Sequence, residues 1–125
     1  ALHGVVLSDW SYAVDTALSS ARIAAVVGSK KDWYPPEILA KEKPTTGTDI
    51  YMAAQSMIFL LGGDPIEKTF PKSVPIELQR YFKGCTVNST YGRPNDAIVM
   101  LQEFDSLLES IGRPYHPRQF AALAI

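Results

Sequence analysis

Three carboxylates stand where the sequence changes character. Asp9, with Ser8, closes the β-prone run Val5-Val6-Leu7; Glu37 follows the doublet Pro35-Pro36; and Asp49 follows Gly47-Thr48 at the head of the apolar run from Ile50 to Leu61. Each has a local explanation. An aspartate after a strand suits a turn. An acidic residue in the first turn of a helix meets the positive end of the helix dipole, and Thr48 is expected to be the N-cap that precedes Asp49. Other chemistry is disfavoured by residue type and spacing. Cys85 is the only cysteine, and His3 and His116 are remote from it and from each other, so no zinc spacing exists. There is no Gly-rich phosphate loop, no nucleophile elbow and no surface of interleaved basic and aromatic residues.

The elements that must position these groups read as mainly helical. Gly4 and Val5–Leu7 suggest one short strand. Tyr12 to Val27 is ambiguous, with Ala and Ser favouring helix and Ile23, Val26 and Val27 favouring strand. Pro35-Pro36 starts a short helix through Glu37 to about Lys41, since a proline in the first turn loses no hydrogen bond. The run Ile50 to Leu61 is apolar nearly all round and is expected to be the central, most buried helix, with Met57 and Leu60 in the core. Gly62-Gly63 stops it, and Pro65, Pro71 and Pro75 mark a loop. Ile76 to about Thr86 places Leu78, Phe82 and Cys85 on one face. Pro94 opens the last strong helix, whose inner stripe is expected to be Ala97, Leu101, Phe104, Leu107, Leu108 and Ile111, with Gly112 ending it.

Bulk properties narrow the setting. The 125 residues are 46% hydrophobic and 20% charged, which suits one globular domain. A net charge of −1 gives no global field toward nucleic acid or an anionic membrane, so neither is expected as a partner. A lone cysteine, expected as a small buried core residue, and no signal-peptide pattern lead to the expectation of a cytoplasmic protein.

The order of these marks goes further. "VVLSDWS" resembles the strand and Asp-Phe-Gly turn of protein kinases, with Asp9-Trp10-Ser11 as the triplet. "WYPPE" resembles the Ala-Pro-Glu signature, "TDIYMAAQSMIFLLGGDPI" the central helix of the kinase C-lobe, and "LQRYFKGCTVNSTYGRPNDAIVML" the later helix pair with its Cys and Arg-Pro. The resemblance runs from about Val5 to Leu108 and is to bacterial-type Ser/Thr protein kinase-like domains. It implies a mainly α fold: the helical C-lobe subdomain with a short N-terminal strand. Residues 1–125 would form a single partial domain: 1–37 equivalent to the magnesium loop and activation segment, 38–112 the helical core, and 113–125 a tail.

The resemblance also implies roles. Asp9 would be the magnesium ligand, since a hard cation bridging phosphates takes carboxylate oxygen. Glu37 and Arg93 would form a buried ion pair tying the end of the activation segment to the lobe. Asp49 would be the anchor of the catalytic-loop backbone. Ser11, Tyr12, Thr16, Ser19, Ser20 and Ser29 fall in the candidate activation segment as possible phosphoacceptors, with Lys30 or Lys31 able to pair with an added phosphate. The family's Gly-rich loop, ATP-gripping lysine, catalytic aspartate and second metal-binding asparagine are not in these residues. Ser11 replaces the glycine of the triplet, Trp10 its phenylalanine, and the stretch before Pro35 reads "GSKKDW" rather than Gly-Thr and small residues.

The implied function is that of a C-lobe fragment of a Ser/Thr protein kinase-like protein. It would be inactive alone, with no catalytic residue and no cofactor of its own, and would help position Mg and ATP and a protein substrate in an intact parent. The alternative is a pseudokinase or kinase-derived interaction module. The expected partners are the N-lobe and catalytic loop or another protein. Because Val5, Val6, Leu7 and Trp10 would otherwise lack a cover, the expectation is either self-association by exchange of the first twenty-odd residues between chains or a refolding of that segment with its Ala-rich part turning helical.

Overall fold

The computed structural model describes residues 13, 15, 28–94 and 96–113. The chain passes through a 3-10 helix, Gly28–Trp33, then α1 (Pro36–Leu39), α2 (Thr46–Leu60), α3 (Ile76–Cys85), a 3-10 turn, Thr90–Gly92, and α4 (Ala97–Ser110). The architecture of the described residues is mainly helical, with a single isolated antiparallel bridge, Asp64 to Thr69, in place of any strand. The strand expected at Val5–Leu7, the ambiguous stretch Tyr12 to Val27 (apart from positions 13 and 15) and the tail from 114 lie outside the described residues.

Local chemistry sets the helix ends. Pro36 opens α1, as a residue without an N–H should. In α2 the cap is Thr45, not Thr48: Thr48 is the third residue of the helix, and its Oγ1 accepts from the Thr45 backbone N–H at 2.9 Å. That satisfies a donor at the helix mouth by the capping-box arrangement. Leu60 ends α2 and Gly62 follows at φ +84°, in the left-handed region that glycine enters without steric cost. Gly63 needs its missing side chain, because a Cβ there would run into the Thr69 carbonyl oxygen across the bridge. α4 begins at Ala97, later than Pro94; Asp96 caps it, Oδ1 accepting from the Val99 N–H at 2.8 Å.

The core gathers along one face of α2. Ile50, Ala54 and Ile58, spaced four apart, bury against Leu78, Phe82 and Cys85 of α3, Met100 of α4 and Val74 of the loop between α2 and α3. Phe82 and Phe104 meet at a centroid distance of 5.9 Å, with Tyr81 edge-on to Phe82. The α3 face is the expected one. Two expectations fail. Leu60 is 80% exposed and Phe59 59% exposed, so α2 is not surrounded at its C-terminal end, whereas Met57, partly buried, packs against the core. Leu60 stands one turn beyond the exposed Ser56, on the side of the helix away from the Ile50–Ala54–Ile58 row. In α4 the inner stripe runs Met100, Phe104, Leu107, Leu108, Ile111, whereas Leu101 is 56% exposed and Ala97 exposed.

Candidate functional site

The most heavily bonded group in the described chain is the Arg93 guanidinium. The Thr90–Gly92 turn delivers Arg93 beneath α1 and the start of α2, where it is 3% exposed. Nη1 donates to Glu37 Oε1 at 2.5 Å and to the Gly47 carbonyl at 3.0 Å. Nη2 donates to Glu37 Oε2 at 3.2 Å and to the Asn88 carbonyl at 3.1 Å, and Nε donates to the Val87 carbonyl at 2.8 Å. All five N–H donors are thereby used, in the two-pronged carboxylate geometry that lysine cannot reproduce. Glu37, also buried, lies in α1, and its Oε1 further accepts from Thr48 Oγ1 at 3.4 Å. The pair ties together α1, the head of α2 and the approach to α4 across 56 residues.

A second cluster adjoins it. The Tyr51 ring lies under two cations: Arg93, 4.8 Å from its centroid, and Lys68 Nζ, 4.7 Å away. Lys68 adopts φ +58° in the bridged turn, which Asp64 Oδ1 braces by accepting from the N–H groups of Ile66 and Glu67. Its ammonium donates to Gln55 Oε1 at 2.8 Å and reaches Tyr51 Oη at 3.4 Å. Burial, then the positive charge of Arg93, push the Lys68 amine down to about 8. Burial pushes the Tyr51 phenol up, against the pull of Arg93. Gln55 is 1% exposed, and its Nε2 has no hydrogen-bond partner.

Two hollows flank these groups. Lys30, Trp33, Tyr34 and Met52 line one of about 190 Å³ just before Pro35, with Lys30 Nζ 5.5 Å from the Trp33 ring. Trp33 also packs on Phe59 at 5.6 Å. The other, about 350 Å³, opens between α3 and α4 over Tyr81, Cys85 and Glu103, with Arg93 at its wall. Tyr81 Oη lies 3.0 Å from Glu103 Oε2. Burial pushes the Cys85 thiol up to about 11, so it is a weak nucleophile.

Of the residues singled out by sequence, the structure brings Glu37 and Arg93 together. Asp49 is exposed in the first turn of α2, and the capping bonds fall to Thr45 and Thr48 instead. Ser29 lies in the 3-10 helix beside Lys30 and Lys31. Asp9, Ser11, Tyr12, Thr16, Ser19 and Ser20 lie outside the described residues. Among the described residues no group of three or more His, Cys, Asp or Glu is placed to hold a metal ion, and no helix is long and apolar enough to cross a membrane. The sequence did not single out Tyr51, Gln55 and Lys68 as a site. Gln55 was the available signal, because a polar side chain on a buried helix must find partners. No protein-family model, curated protein or solved structure matches the chain.

Proposed function

We propose that the chain is the C-terminal lobe portion of a Ser/Thr protein kinase-like protein, inactive alone and serving in its parent to position a metal–nucleotide and a protein substrate. The observation that carries this reading is the buried Glu37–Arg93 pair, two-pronged and 56 residues apart in sequence. It joins the residue after Pro35-Pro36 to the arginine before the last helix, as the resemblance requires. Such a pair fixes the end of an activation segment to the helical core, which positions a substrate without touching the reacting atoms. The hollow at Lys30, Trp33, Tyr34 and Met52 lies on that segment and suits a side chain of a docked polypeptide. Asp9 would give one carboxylate oxygen to a magnesium–nucleotide, whose phosphates and second protein ligand come from elsewhere in the parent.

The test uses the complete reading frame that contains these residues. The expressed protein should transfer labelled phosphate from ATP in the presence of magnesium, Asp9→Asn should abolish transfer, and the 125-residue chain alone should show none. Transfer that survives Asp9→Asn overturns the assignment. Ser11, in place of a glycine whose freedom lets the turn flip, favours the second reading, an interaction module without catalysis. A reading frame that lacks an aspartate base and a following asparagine upstream of Ala1 decides for that module.

A further inference from the structure

The Gln55 carboxamide is half used. Its oxygen holds the Lys68 ammonium at 2.8 Å, while its nitrogen, bonded to the same carbon and fully buried, donates to nothing. An orphan donor of this kind costs free energy until an acceptor arrives. Lys68 is itself unusual: among the described residues it forms no ion pair with a carboxylate. The charged group that acts on it is Arg93, over the same Tyr51 ring, and Arg93 is itself paired with Glu37. Lys68 is thus a half-buried cation beside another cation, hydrogen-bonded to a side chain with an unused donor.

We propose that Lys68 is a carbon dioxide-binding site, forming a carbamate on Nζ that pairs with the Gln55 carboxamide. The neutral amine's lone pair attacks the carbon of CO2, an N–C bond forms, one C–O π pair becomes the anionic oxygen, and one Nζ proton leaves to solvent. The product keeps one N–H, which continues to donate to Gln55 Oε1. A carbamate oxygen syn to that N–H accepts from Gln55 Nε2, closing a reciprocal two-bond ring with the orphan donor. The charge at Nζ changes from positive to negative beside Arg93, so a like-charge neighbour becomes an attractive one. The lowered proton affinity of the amine, down to about 8, leaves a reactive fraction unprotonated near neutral pH. A carbamate on Lys68 does not depend on the kinase reading.

The experiment is carbon NMR of the folded chain with 13C-bicarbonate, in equilibrium with 13CO2, scanned across neutral to mildly alkaline pH. The wild type should show a carbamate resonance that Lys68→Arg lacks, with folding of the variant checked by circular dichroism. Alkyl trapping followed by peptide mass spectrometry should place the adduct on residue 68. Gln55→Met, which fills the same space without polar atoms, should lower occupancy about tenfold, the worth of a hydrogen bond to a charged acceptor. A spectrum with no resonance that depends on Lys68 overturns the proposal and leaves Gln55 Nε2 to an enclosed water. Unchanged occupancy in Gln55→Met overturns the reciprocal pairing.

Discussion

Replacing Arg93 by methionine isolates what the buried pair contributes. Methionine keeps much of the apolar stem and removes every donor. Glu37, buried in α1, then keeps only the 3.4 Å contact from Thr48 Oγ1. Stranding a buried carboxylate costs about 3–5 kcal/mol. Of the three carbonyls that Arg93 serves, those of the exposed Val87 and Asn88 can turn to water, whereas that of buried Gly47 stays dry and adds about 1 kcal/mol. Against a total stability of about 5–15 kcal/mol this is a large fraction. In urea unfolding followed by circular dichroism, with a slope of about 1.5 kcal/mol/M, the midpoint should fall by about 3–4 M. Arg93→Lys should recover little, because one point charge replaces five directed donors. The double variant Glu37→Met with Arg93→Met should be no less stable than either single one, since it strands no charge. A midpoint shift under about 0.5 M for Arg93→Met would refute the claim that the pair holds α1 to the core.

Other outcomes follow from burial and charge. Leu60→Ala should change stability by less than about 0.5 kcal/mol because its side chain lies in solvent, whereas Ile58→Ala, fully buried on the same helix, should cost about 2–5 kcal/mol in the same urea assay. The Lys68 amine, pushed from 10.5 down to about 8 in the folded chain, leaves the unfolded state binding more protons between those values. Stability should therefore rise with pH across that window, and Lys68→Met should remove the rise when urea midpoints are compared at each pH. Cys85, 1% exposed with its thiol pushed up to about 11, should resist a disulfide thiol reagent at pH 8 in the native state and react fully in denaturant.

What the sequence determined on its own was local. Pro36 at the start of α1, the left-handed glycines after α2 and α4, and the Leu78–Phe82–Cys85 face of α3 are written in residue types whose backbone or periodic preferences act within one or two turns. The Glu37–Arg93 partnership was legible through the order of motifs, but its five-donor geometry required three chain segments to meet. Tertiary packing alone decided which side of α2 was covered. An all-apolar helix carries no mark of which neighbour arrives, and here α3 and α4 cover the Ile50–Ala54–Ile58 row and leave Leu60 in solvent. The same holds for Met100 taking the inner stripe in place of Leu101: the two positions are about 100° apart around α4, both are apolar, and packing against the core decides which of them is covered. Lys68 is the sharpest case. Nothing near it in sequence names Gln55 or Tyr51, and only a bridged turn at φ +58° sets its amine on both.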